Sequence, residues 1–168
     1  MDLVANLLLG FEQAVTLQNL LYCFVGVSVG TLIGVLPGMG PVATVAMLLP
    51  ITYSLDPSAA LIMLAGIYYG AQYGGSTTAV LVNIPGEAAA VVTCIDGHKM
   101  ARAGRAGAAL GIAAIGSFIA GCFATVLIAA FAPPLTALAF EFGPAEYFSL
   151  MVLGLVGAVV LANGDLLK

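Results

Sequence analysis

Charge is what this sequence has least of. Only 7% of its 168 residues are Asp, Glu, Lys or Arg, against about 25% in soluble domains. Such a chain cannot cover a water-facing surface, which excludes an ordinary soluble domain. Its four Lys and Arg residues make no basic patch, so nucleic acid is excluded as a partner. Tryptophan is absent, leaving tyrosines such as Tyr22, Tyr53 and Tyr147 as interface anchors. Cys23, Cys94 and Cys122 lie far apart, at no metal-ligand spacing, and read as small apolar fillers. The start lacks the positively charged flank of a cleaved signal peptide. Residues 1–16 carry Asp2 and Glu12 among leucines, and are expected to form a short interfacial helix.

What is present is apolar: 62% of the residues are hydrophobic. The chain is expected to be all-α, a polytopic integral membrane protein with full spans and broken or re-entrant half-helices. From Gln13 to Leu55 no residue is charged, yet Leu36-Pro-Gly-Met-Gly-Pro41 breaks that stretch in its middle. A spanning helix needs about 20 apolar residues. Leu17–Leu36 meets that length; Val42–Tyr53 is too short, and is a half-helix or part of a broken span. Asp56-Pro57 is a polar turn, with Ser58 as the expected cap of a helix over Ala59–Tyr73. A second break is expected at Gly74-Gly-Ser-Thr-Thr78, followed by a short piece and then Asn83-Ile-Pro-Gly-Glu87.

His98, Lys99, Arg102 and Arg105 form the sole basic cluster, so 96–105 is expected to be a cytoplasmic loop. Ala106–Ala132 is a full span rich in small residues, which let helices approach closely in a bilayer. Pro133-Pro134 is expected to end it on the outer side. Residues 147–162 then return inward, towards Asn163-Gly-Asp165 and Lys168. Leu36-Pro-Gly38 and Ile84-Pro-Gly86 form a faint internal echo.

Broken backbone at membrane depth exposes amides and carbonyls that hydrocarbon cannot satisfy, so it usually lines a cavity. In the first break Pro37 and Pro41 lack amide hydrogens, and Gly38 and Gly40 permit close approach. The helix restarting at Pro41 offers unpaired amides to an anion. Around the second break Gly74, Gly75, Ser76, Thr77, Thr78, Asn83, Pro85 and Gly86 supply exposed backbone, hydroxyls and an amide. These can bind a carboxylate, and a sodium ion can be held near Ser76, Thr77 and Asn83. The competing reading of the three hydroxyls is back-bonding to the preceding helical turn. Glu87 either caps the next helix start or acts as a proton-coupling carboxylate. Asp96 and His98 read as solvated polar groups, His98 otherwise as a proton relay. Gln72 and Tyr73 adjoin the second break.

Three stretches, Gly34-Val-Leu-Pro-Gly-Met-Gly-Pro41, Ala65-Gly-Ile-Tyr-Tyr-Gly-Ala-Gln-Tyr-Gly-Gly-Ser-Thr-Thr78 and Asn83-Ile-Pro-Gly-Glu87, resemble the large membrane subunit of tripartite tricarboxylate transporters (the TctA type). Asp96–Arg102, Gly104–Ser117 and Gly143–Phe148 fit the same family, so the likeness covers essentially the whole chain in order. The resemblance implies a multi-pass secondary transporter of the bacterial inner membrane. It would work with a small membrane subunit and a periplasmic solute-binding protein. Its substrates would be citrate, other di- and tricarboxylates and some aromatic acids. Uptake would be coupled to sodium or protons, with no organic cofactor. Family members are longer, with two related halves, and this sequence is expected to be their N-terminal third.

Two rival readings come from other classes. A non-transporting assembly module would only pack with partner helices. An intramembrane serine hydrolase would need Ser76 and His98 at hydrogen-bond distance, whereas the expected topology separates them. The chain is therefore expected not to be an enzyme.

Overall fold

The computed structural model describes residues Leu3 to Leu161 and is helical nearly throughout, with no strand among the described residues. It divides into two compact units, one up to Ala120 and one from Gly121. The architecture is that of an all-α polytopic membrane protein. Leu17–Gly34 and Ala88–Ala132 are each long and apolar enough to cross a bilayer. In the second unit Pro134–Phe140 and Pro144–Gly157 form a helix pair bent by 103°.

Helix α1 (Leu3–Ala14) ends one turn before α2 (Leu17–Gly34). Thr16 caps α2, its hydroxyl accepting from the Asn19 amide (3.4 Å) and donating to the Gln13 carbonyl (3.1 Å). The Asn19 side chain donates to the same carbonyl at 2.7 Å, so this buried amide nitrogen has a partner. After α2 the chain turns through 35–40. Pro41 opens α3 (Pro41–Leu48), and a 3-10 turn, Leu49–Ser54, continues it. Helix α4 (Pro57–Val82) begins on Pro57 at its first position, with Asp56 before it. The expected cap, Ser58, therefore lies inside the helix.

Gly74–Thr78 does not break α4. The helix runs without interruption for 26 residues, about 39 Å, and ends at Asn83 in the left-handed region (φ 61°). Tertiary packing overrides the poor helix propensity of adjacent glycines here. Gly26, Gly30 and Gly34 of α2 face Gly66, Gly70 and Gly74 of α4. A methyl group at Gly26, Gly30 or Gly34 would strike the carbonyl oxygen of Met63, Ile67 or Ala71. One at Gly66, Gly70 or Gly74 would strike that of Cys23, Val27 or Thr31. The two backbones are in direct contact over two helical turns, which only glycine allows. Both series advance together, so α2 and α4 run parallel.

A parallel pair requires the chain to return between its members. That return is 41–56, a short apolar helix and 3-10 turn too short to be a full span. Its buried Leu48 joins Met63 and Ile67 of α4 in the core, with Val45 and Leu55 beside them. Buried Thr44 donates its hydroxyl hydrogen to the Gly40 carbonyl at 3.1 Å.

Beyond Asn83 the chain reverses and dips, bringing Gly86 back beside Gly75. A 3-10 turn, Ala88–Ala90, leads into α5 (Val91–Met100). This helix rises along the last turns of α4 until Gly97 lies beside Val80 and His98 Nδ1 is 3.0 Å from the Val80 carbonyl. Residues 96–105, expected as a loop, are helical: the end of α5 and a π turn, Ala101–Arg105, bent at Gly104 (φ 76°). Helix α6 (Ala106–Phe140) passes through Pro133-Pro134, where an end was expected, and stops at Phe140. Helix α7 (Pro144–Leu161) carries Glu146 in its first turn, where the helix dipole favours an acid. The expected inner end, 163–168, lies outside the described residues.

Candidate functional site

Parallel helices end on the same side, so the turn after α2 and the dip after α4 meet. The first corner is tight: the Leu36 amide donates to the Ile33 carbonyl (2.9 Å) and the Met39 amide to that of Leu36 (3.2 Å). Gly38 sits at φ 85°, in the region glycine favours. In the second corner a methyl group on Gly86 would strike the Gly75 Cα and come 3.2 Å from the Gly34 carbonyl oxygen. Gly86 thus lets the second corner fold back on Gly75 of α4 and approach Gly34 of α2, the helix that carries the first corner. Buried Thr78 ties the corners through α4, donating its hydroxyl hydrogen between the Val35 carbonyl (3.0 Å) and the Gly74 carbonyl (3.1 Å).

A shallow cavity of about 420 Å³ opens between the corners, lined by Gly38, Gly40, Pro85, Gly86, Glu87, Ala88 and Val91. Gly40 and Glu87 face each other, with 3.8 Å between the Glu87 Cβ and a methyl group placed on Gly40. Gly40 also precedes α3, so the unpaired amides of that first turn open nearby. Glu87 is half-buried and its side chain makes no capping bond. The other lining residues are neutral and carry no side-chain oxygen. Another shallow cavity, of about 350 Å³, lies in the second unit along α7. It adjoins the 103° bend at Phe142 but brings together no second interrupted element, and Ser149 back-bonds to the Ala145 carbonyl (2.9 Å).

Of the twelve residues expected to form the site, Gly38, Gly40, Pro85 and Gly86 line the cavity. Pro37 and Pro41 frame the first corner, while Gly74, Gly75 and Thr78 hold the corners together. Ser76 and Thr77 are not among the lining residues. Their hydroxyls donate to the Gln72 carbonyl (3.1 Å) and the Tyr73 carbonyl (2.9 Å) inside α4, as the back-bonding reading expects. Asn83 is exposed at the end of α4. Among the described residues no cluster of His, Cys, Asp or Glu is arranged to hold a metal ion.

Sequence reasoning passed over the glycine interlock. Its signal was legible: glycines spaced four apart at 26, 30 and 34 and again at 66, 70 and 74. It also treated Glu87 without seeing that Gly40 would be its neighbour.

No solved structure matches this chain. A curated relative from Agrobacterium vitis, described as an uncharacterized 52.8 kDa protein in the TAR-I ttuC' 3' region, is 63% identical over all 168 residues. The chain spans 34% of that relative's length. The family model described as the tripartite tricarboxylate transporter TctA family matches residues 20–168. With the nested Pro-Gly corners lying inside that match, the chain belongs to the tripartite tricarboxylate transporter TctA family.

Proposed function

We propose that this chain is part of the membrane subunit of a secondary transporter that takes up carboxylates, and that the cavity between the two corners receives a carboxylate group. The observation that carries this reading is the meeting of Gly38-Met-Gly40 with Pro85-Gly86, which sets uncovered backbone from two interrupted elements around one space. Half-helix amino ends and bare amides bind anions without a basic side chain. Family membership supports a transporter rather than an enzyme. The rest of the assembly would be a small membrane subunit and a periplasmic binding protein in the bacterial inner membrane.

Depth follows from the helix lengths. Gly86 lies level with Gly75, seven residues back from Val82, so the dip descends about 10 Å from the end of α4. The basic cluster at the end of α5 supports a cytoplasmic position for that end, which would put the corners in the inner half of the bilayer. The short return crossing 41–56, held by fewer turns than its neighbours, is the element suited to shift and alternate access.

The test uses the full-length subunit with its partners in proteoliposomes, offered radiolabelled citrate, succinate and benzoate in turn. Gly40→Leu should abolish uptake with membrane insertion intact. Gly40 has ordinary backbone angles (φ −67°), so leucine fills the cavity without backbone strain. Undiminished uptake by this variant, or no uptake of any of the three acids by the unaltered assembly, would refute the reading.

A further inference from the structure

We propose that Glu87 is the protonation site that couples carboxylate entry to a proton, so that substrate binds the corner cavity only when this side chain is neutral. The inference rests on the reading of the cavity as the carboxylate site. Sequence alone left Glu87 open between a helix cap and a coupling group. In the structure Glu87 occupies the N-cap position of the 3-10 turn Ala88–Ala90, but its side chain accepts no bond from that turn. It lines the cavity opposite Gly40, so its carboxyl is not committed to a cap hydrogen bond.

The surroundings define the chemistry. The cavity wall contributes Gly38 and Gly40 from the first corner, Pro85 and Gly86 from the second, and Ala88 and Val91 from the start of α5. Against the back of the second corner stands Gly75 of α4. None of these residues is titratable or charged. His98, Lys99, Arg102 and Arg105 lie at the far end of α5 and beyond, two turns or more from Val91, and His98 is engaged with Val80. Among the described residues Glu87 is thus the one ionisable side chain of the cavity wall.

An ionised Glu87 would repel a substrate carboxylate placed in the same cavity. A proton removes that repulsion, and leaves a donor that can bond the substrate oxygen. Glu87 supplies the cavity wall's one side-chain oxygen group, so a sodium ion would have to complete its shell from corner backbone carbonyls, whereas a proton needs Glu87 alone. The coupling is reciprocal: the proton strengthens substrate binding, and substrate strengthens proton binding by the same factor. A site built this way loads substrate only together with the proton, as proton-coupled uptake requires. The proton leaves to the cytoplasm with the substrate, and no covalent step is involved.

The experiment uses the full-length assembly in proteoliposomes, with whichever of the three acids the unaltered protein takes up. Apparent affinity is measured at pH values above the substrate's own pKa values. Affinity in the unaltered protein should weaken by about tenfold per pH unit once Glu87 ionises, the limit for one obligatorily coupled proton. Glu87→Gln, a permanent mimic of the neutral acid, should bind with no pH dependence. It should also sustain substrate exchange across the membrane while losing all accumulation driven by a pH gradient. Glu87→Asp should restore the pH dependence. Accumulation by Glu87→Gln at the unaltered level, loss of its exchange with the assembly intact, or accumulation in the unaltered protein driven by sodium alone would each overturn the proposal. If Gly40→Leu abolishes binding while Glu87→Gln behaves as unaltered, the cavity reading stands and the proton assignment falls.

Discussion

Gly74 and Gly75 are adjacent and chemically identical, yet replacing each by alanine should have very different consequences. A methyl group on Gly74 would lie 2.5 Å from the Thr31 carbonyl oxygen and 2.8 Å from the Val35 amide nitrogen. Both are backbone atoms, so no side chain can swing aside. Ordinary contact begins at 3.4 Å, so α2 and α4 must part locally by about 0.9 Å, a gap that forfeits a quarter to a half of each van der Waals contact along the interlock. Overpacking of this kind costs about 1–3 kcal/mol. The same separation stretches the bond from Thr78 to the Val35 carbonyl beyond its present 3.0 Å, and such a bond between membrane helices is worth about 0.6–1.7 kcal/mol. Together the loss should be about 2–4 kcal/mol. At Gly75 the nearest atom to an added methyl group is the Gly86 Cα at 3.4 Å, the edge of ordinary contact. Alanine there also gains up to about 1 kcal/mol in helix propensity, so Gly75→Ala should be nearly neutral. Thermal unfolding of the detergent-solubilised full-length protein, followed by size-exclusion chromatography, reads both variants. Equal midpoints for Gly74→Ala and Gly75→Ala would refute the interlock.

Other variants probe separate parts of the argument. Asn83→Gly should leave stability unchanged or slightly raised, whereas Asn83→Ala should lose about 1 kcal/mol, because φ is 61° there; the same unfolding assay compares them. Thr78→Val removes the hydroxyl that joins α4 to the first corner and should lower stability by about 1 kcal/mol, while Thr78→Ser should restore it. Ser76→Ala and Thr77→Val remove hydroxyls that bond only within α4, so carboxylate uptake should stay within about twofold of the unaltered assembly. His98→Ala deletes the bond to the Val80 carbonyl and should loosen α5 from α4, seen as faster proteolysis at the Arg102 and Arg105 bonds at a cost of about 1 kcal/mol.

Much of the fold could be read from residue order. The scarcity of charge dictated a membrane protein, and Pro37-Gly38 and Pro85-Gly86 marked real interruptions. The short helix after Pro41 was legible because twelve apolar residues cannot reach across hydrocarbon as a helix. The errors come from local signals read without their tertiary surroundings. Gly74–Thr78 looked like a break because local propensity disfavours helix there, but packing against α2 compensates and α4 continues. Pro133-Pro134 looked like a terminus by the same local logic, yet α6 passes through it. Residues 96–105 looked like a loop because they are charged, and polarity alone does not distinguish a loop from a helix end.

By itself, then, the order of residues determined that this chain lives in lipid, that its backbone turns at Pro37-Gly38 and Pro85-Gly86, and which family it joins, since each follows from composition or from contiguous motifs. Which distant residues meet was decided by the tertiary structure alone. Parallel packing of α2 on α4, made possible by glycines whose missing side chains let two backbones touch, carries both interruptions to the same end. Only there does Glu87 acquire Gly40 as a neighbour, because no local rule specifies the direction of one helix relative to another.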